Sequence, residues 1–247
     1  MRLFGLIGYP LGHSFSAAYF SKKFEKEGID AEYRNFPLAN MTGFRDLLES
    51  TPGLWGLNVT VPYKQAVIPY LHSLSSTAEA VQAVNTISFR ERGGSLELEG
   101  DNTDVIGFRT SLEQHLRPRH TSALVLGTGG SSKAVRYTLD QLGILYTPVS
   151  RTPGPDRKTY GELDQEIIAN NTLIINTTPL GMYPDILSYP DLPYDALTPE
   201  HLLFDLVYNP AKTAFLSRGE QQGAAGVNGY DMLVLQAEAS WGIWNRD

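Results

Sequence analysis

The sequence predicts an α/β fold built on a parallel sheet, in one compact unit or in two lobes sharing the chain, and three observations carry the prediction. Short apolar runs at residues 3–7, 54–61, 123–126, 173–175 and 202–206 read as buried strands. From residue 123 onward these runs alternate with helical patterns, which is the pattern of parallel strands joined by right-handed crossovers. The run at 123–126 leads straight into Gly127-Thr128-Gly129-Gly130 and then into a helical pattern, a strand–glycine loop–helix unit.

The elements follow in order. Residues 3–7 are closed by Gly8 and Pro10. Ser14 or Ser16 then caps a helix with Ala17, Phe20 and Phe24 on one face. Residues 33–36 make a second strand, and Phe44, Leu47 and Leu48 mark a short helix. The strand at 54–61 is stopped by Pro62. Helical stretches follow at 66–71 and 75–81, then a hairpin whose arms, 84–89 and 96–98, flank Gly93-Gly94. The texture changes at Gly100-Asp101-Asn102-Thr103-Asp104, where Thr103 or Asp104 caps a new helix. Beyond the glycine loop come a helix with Ala134, Val135 and Leu139 inward, a strand near 146–149, and the strands at 173–175 and 202–206. Residues 232–244 form a closing amphipathic helix, while Pro153-Gly154-Pro155 and residues 184–199 are loops.

Bulk properties exclude several classes. The 247 residues can bury a substantial core. With 27 acidic against 20 basic residues the net charge is −7, so no nucleic-acid partner is expected. The absence of cysteine excludes disulfides, thiolate nucleophiles and cysteine metal sites, and fits a reducing compartment. His13, His72, His115, His120 and His201 show no metal-ligand spacing, so no metal is expected. No apolar stretch reaches membrane-spanning length, and the first one is too short for a signal segment. The expected location is the cytoplasm.

Gly127, Gly129 and Gly130 stand where dinucleotide binding needs them. They allow a tight turn and a close approach of backbone N–H groups to a pyrophosphate at a helix N-terminus. Ser132 takes the third position of the fingerprint and is small enough for close helix–strand packing. The next strand ends in Val149-Ser150-Arg151-Thr152, with no acid until Asp156 to bind a ribose 2′-hydroxyl. An arginine there suits a 2′-phosphate, so NADP(H) is favoured over NAD.

Four segments of the first half place polar residues at strand ends: 8–16 with His13, Ser14 and Ser16; 56–64 with Asn58, Thr60 and Lys64; Ala83-Val84-Asn85-Thr86; and 100–104 with Asp101. Taken singly, each has an ordinary explanation as a helix cap, a turn residue or a solvated charge. In order along one chain they resemble the shikimate dehydrogenase family, whose motifs run close to G-x-P-x-x-H-S-x-S, N-V-T-x-P-x-K, A-V-N-T and G-D-N-T-D. The second half adds Asn176-Thr177-Thr178-Pro179-Leu180-Gly181-Met182, Asp205-Leu206-Val207-Tyr208-Asn209-Pro210 and residues 232–237.

The resemblance implies a two-lobed α/β fold. Residues 1–102 and 229–247 would form the substrate domain, residues 103–228 a Rossmann-like NADP-binding domain, and a cleft between them the active site. It implies NADPH-dependent, reversible reduction of 3-dehydroshikimate to shikimate in the shikimate pathway, with Lys64 and Asp101 as the proton-transfer pair. Ser14, Ser16 and Tyr208 would bind the substrate carboxylate, and Asn58, Thr60, Asn85 and Gln236 the ring hydroxyls. Gly127, Gly129, Gly130, Ser150, Arg151, Thr152 and Thr177 would contact the nucleotide, with Met182 and Gly229 near the nicotinamide. His13 is read as a structural hydrogen-bonder.

The chemistry fits these residue types. Hydride addition to a ketone leaves charge on oxygen, which a lysine ammonium can stabilise while delivering a proton. Burial would lower that lysine's pKa and an ionised Asp101 would raise it, so the two effects oppose each other. The sequence also departs from the family pattern. Ser150 stands where Asn is common, Ser131 where Ala is common, and Pro155 where a second arginine is common, with Arg157 as the replacement to consider. Two alternatives stay open: a quinate/shikimate dehydrogenase with relaxed NAD(P) use, and a non-catalytic dinucleotide-sensing module. The partner is expected to be a small molecule, for a monomer or homodimer.

Overall fold

The computed structural model describes residues 1–11 and 14–246, so Gly12 and His13 lie outside the described residues. The chain divides into two compact units, Met1–Thr103 with Ala237–Asp247, and Asp104–Gln236.

The first unit contains β1 (Arg2–Gly8), α1 (Phe15–Glu27), β2 (Ala31–Pro37), α2 (Gly43–Ser50), β3 (Leu54–Val59), β4 (Ser73–Leu74), α3 (Ser76–Val81), β5 (Thr86–Arg92) and β6 (Ser95–Asp101). Its sheet runs β2-β1-β3-β5-β6-β4. β1 pairs in parallel with both β2 and β3, whereas β5 is antiparallel to β3 and β6. Strand alternation sorts β1 between two cores. Leu3 and Ile7 join Phe44, Leu57 and Ile87, while Phe4 and Leu6 join Phe20, Phe24 and Trp244. The helix expected at 66–71 is only a 3₁₀ turn, Ile68–Tyr70. Pro69 lacks the amide that a longer helix would need.

The second unit contains α4 (Asp104–Glu113), β7 (Ser122–Leu126), α5 (Gly130–Gln141), β8 (Leu145–Ser150), β9 (Lys158–Thr159), α6 (Gln165–Asn170), β10 (Leu173–Asn176), β11 (Leu202–Asp205), α7 (Ala214–Gln221) and β12 (Ala225–Val227), followed by α8 (Tyr230–Trp244), whose first half it owns. Its sheet is parallel throughout, in the order β12-β11-β10-β7-β8-β9. Counted from β7, this is the 3-2-1-4-5-6 order of the doubly wound dinucleotide fold, and the order reverses between β7 and β10. Both faces are covered: Val125 packs with Phe108, Val135 and Leu139, and Leu124 with Ile168 and Phe215. That burial explains why these strands read as unbroken apolar runs.

α8 buries a helical stripe of Met232, Gln236, Ala237, Ser240, Ile243 and Trp244. The compact units divide inside this helix, after Gln236 rather than after residue 228. The reason is local packing: Met232 lies in the core with Phe108, and Gly107 of α4 lies against the Met232 carbonyl, where a Cβ would be 2.5 Å away. The second half crosses β3 instead. A Cβ at Gly56 would fall 2.3 Å from the Trp244 indole, whose Nε1 donates to the Ile87 carbonyl at 3.0 Å. Among the described residues no helix is long and apolar enough to cross a membrane.

Candidate active site

In the first unit the predicted residues gather at the C-terminal ends of β1 and β3. The two ends are laced together: Thr60 N–H donates to the Ile7 carbonyl at 2.9 Å, and Tyr9 N–H to the Val61 carbonyl at 3.0 Å. Ser14 caps α1, its Oγ accepting from the Ala17 amide at 3.3 Å. Ser16 is buried and hydrogen-bonds the Tyr33 phenol, which burial holds in its neutral form.

Asn58 is held by partners within the unit. The Tyr33 hydroxyl donates to its Oδ1 at 2.9 Å, and its Nδ2 donates to the Asn85 carbonyl at 3.2 Å and to Ser240 Oγ at 3.0 Å. An amide has two N–H donors, and both are used inside the unit. Asn58 is therefore a hub of a buried framework. Ser240 and Thr86 extend the framework to Thr103. Neither Tyr33 nor Ser240 was foreseen, because nothing local in the sequence links positions so far apart.

The same framework holds Lys64 and Asp101. Val84 N–H donates to the Lys64 carbonyl at 2.7 Å, and Asn85 N–H donates to the Asp101 carbonyl at 3.0 Å. The main chains of Lys64 and Asp101 are thus tied to two adjacent residues, Val84 and Asn85. Both side chains are half-buried. The Asn85 side chain fixes the register further, its Oδ1 accepting from the Thr103 amide at 2.7 Å.

In the second unit the glycine loop lies at the switch point between β7 and β10, where doubly wound sheets bind ligands. Gly127 has φ +108°, and a Cβ on it would stand 2.6 Å from Thr177 Oγ1. Only glycine fits there. Thr177 in turn donates through N–H and Oγ–H to the Leu126 carbonyl, at 2.9 and 2.6 Å. Ser132 Oγ donates to the Gly127 carbonyl at 2.8 Å, which accounts for serine at the third fingerprint position. Gly129 is the N-cap of α5, extended and without a capping side chain, with open space over its Cα. A helix N-terminus without a capping side chain is a general setting for an anion.

At the end of β8, Ser150 Oγ accepts from the Thr152 amide at 3.2 Å, and Arg151 is exposed. Arg157 is engaged elsewhere. It pairs with Asp156 at 3.0 Å and lays its guanidinium against Gly154. Arg151 makes no ion pair among the described residues. Met182 is exposed in the turn after β10, and Tyr208 is half-buried after β11, where burial pushes its phenol pKa up. Gly229 lies against the Leu206 carbonyl, which a Cβ would approach to 2.2 Å. Gln236 is buried, its Nε2 donating to the Leu233 carbonyl at 3.0 Å. Beneath these turns lies Asp205, whose burial raises its carboxyl pKa to about 6. The motif containing it is visible in the sequence, but nothing there signals its role.

The chain is similar to known proteins over nearly its whole length. Residues 6–87 match the family model described as the shikimate dehydrogenase substrate binding domain. The shikimate dehydrogenase (NADP(+)) of Halothermothrix orenii is 36% identical, over 98% of this chain and 90% of its own length. That of Oleidesulfovibrio alaskensis is 37% identical, over 98% of this chain and 89% of its own. The shikimate 5-dehydrogenase of Thermus thermophilus, solved in complex with NADP(H) and shikimate, superposes with a TM-score of 0.86 at 29% identity, covering 99% of this chain and 94% of that one. The strand-end clusters, the doubly wound second unit and these relatives together place the chain in the shikimate dehydrogenase family.

Proposed function

We propose that the chain catalyses the reversible, NADPH-dependent reduction of 3-dehydroshikimate to shikimate, a step of the shikimate pathway, in the cytoplasm. One observation carries the reading: the backbones of Lys64 and Asp101 are tied to the adjacent residues Val84 and Asn85, near the strand ends that also present Thr60 and the Ser14 and Ser16 segment. NADPH, when bound, supplies the hydride. Gly127, Gly129 and Gly130 would hold its pyrophosphate, and Ser150, Arg151 and Thr152 its adenosine 2′-phosphate. Thr177, Met182 and Gly229 would line the nicotinamide end.

The chain's own part is proton handling and orientation. The Lys64 ammonium stabilises the charge that develops on the carbonyl oxygen and gives that oxygen its proton. The Asp101 carboxylate holds the ammonium in place, and after the transfer the neutral lysine takes a proton back from solvent water. Ser14, Ser16 and Tyr208 offer neutral hydroxyls to the substrate carboxylate, and Thr60, Asn85 and Gln236 meet the ring hydroxyls. Asn58, tied into the buried framework, belongs to the same set of groups proposed to meet the ring hydroxyls. A site whose polar groups expect hydroxyls rejects analogues that lack them.

NADH use alongside NADPH is a second reading with one observation behind it, the engagement of Arg157 with Asp156, which leaves Arg151 as the principal 2′-phosphate cation. Measuring NADPH and NADH oxidation with 3-dehydroshikimate and with 3-dehydroquinate tests both readings. Turnover of 3-dehydroshikimate with NADPH is expected. Turnover of 3-dehydroquinate alone, or of neither ketone, would count against the proposal.

A further inference from the structure

Asp205 is fully buried, and the proposed chemistry makes no use of it. Its carboxylate is the meeting point of two turns. Oδ1 accepts from Asn176 Nδ2 at 2.9 Å and from the Val207 amide at 3.0 Å, and Oδ2 accepts from the Thr213 hydroxyl at 2.6 Å. Asn176 carries the link into the turn after β10. Its Oδ1 accepts from the Thr178 amide and hydroxyl, at 3.0 and 2.6 Å, and Thr178 Oγ1 accepts from the Leu180 amide at 3.3 Å. That turn ends at Gly181 and Met182. Gly181 lies against Thr213, whose Cβ would be 3.3 Å from an added Cβ. On the other side, Val207 is followed by Tyr208, and the Tyr183 amide donates to the Asn209 carbonyl at 3.3 Å.

Burying a carboxyl group is a poor route to stability, since an apolar side chain of similar size often serves as well. What an apolar residue cannot do is bond to both turns at once. The geometry points to Asp205 as a positioning residue that fixes the Met182 turn relative to the Tyr208 turn. This inference rests on the proposed reading, in which Met182 lies along the nicotinamide and Tyr208 meets the substrate carboxylate. The pyrophosphate and adenosine contacts sit on β7 and β8 and do not depend on Asp205. Losing it therefore separates turnover from cofactor binding.

The test counts active sites by NADPH fluorescence and measures kcat per bound NADPH in the full chain. For Asp205→Ala, kcat falls about tenfold or more while the NADPH Kd moves by less than about threefold. Asp205→Asn keeps the oxygen that meets Asn176 and Val207 and recovers most of the rate. Thr178→Val cuts the far end of the link and shows the same split in smaller measure, which keeps the test decisive if Asp205→Ala does not fold. Wild-type turnover per bound NADPH in the folded variants overturns the inference, and so does a Kd that weakens in step with kcat. A wild-type chain that binds NADPH but reduces no 3-dehydroshikimate overturns the underlying reading instead.

Discussion

Lys64 and Asp101 hold the same dipeptide, the Lys64 carbonyl through the Val84 amide and the Asp101 carbonyl through the Asn85 amide. Both bonds are made by main chain, so they persist when either side chain is changed. A side-chain substitution at these positions removes chemistry and leaves the scaffold.

Lys64→Ala should therefore be a clean catalytic variant. Turnover is expected to fall by roughly a thousandfold, with the NADPH Kd changed by less than about threefold. Steady-state kinetics together with cofactor fluorescence measure both. Near-normal turnover would remove Lys64 from the role of acid.

Asn58→Ala should behave in the opposite way. It deletes the amide that joins Tyr33, Asn85 and Ser240, and leaves buried partners unsatisfied. The expected loss is about 2–4 kcal/mol of unfolding free energy, read from urea denaturation. A raised KM with unchanged stability would instead make Asn58 a direct ring contact.

Arg151→Ala should weaken NADPH by about tenfold or more and NADH by much less, because a charge-assisted contact to the 2′-phosphate is the only term lost. The NADPH effect should shrink as salt is raised. Equal losses for the two cofactors would show that Arg151 does not read the phosphate.

Asp205 gives a pH prediction whose sign is fixed by its burial, which raises the folded-state pKa to about 6 from an ordinary 3.8. A group raised on folding contributes most when protonated, so its contribution is complete below the unfolded pKa and is lost as pH rises through the folded one. The loss is on the order of 3 kcal/mol. Asp205→Asn has no such titration. Its unfolding free energy, relative to wild type, should climb between about pH 4 and 6 and level off above. A difference that stays constant over that range would contradict the burial argument.

Much of this was legible in the sequence, for identifiable reasons. β7, β10 and β11 are buried on both faces and so appear as unbroken apolar runs. The glycine loop is local, because its function depends on consecutive backbone groups. β9 and β12, of two and three residues, are too short to leave a pattern. α6 and α7 were not separately resolved, and Pro69 cut the stretch at 66–71 to a single 3₁₀ turn. At the site, types and motifs were visible, but partners were not. The sequence shows Asn58 but not its buried partners Tyr33 and Ser240, and Arg157 but not its pairing with Asp156. Asp205 lies in a motif whose buried bonds no spacing reveals.

The most direct test is the initial rate of NADPH oxidation by the purified chain with 3-dehydroshikimate, beside the Lys64→Ala variant under the same conditions. The account predicts robust turnover by the wild type and near-background turnover by the variant, with both proteins binding NADPH. Absence of wild-type turnover despite NADPH binding, or equal rates in the two proteins, would contradict it.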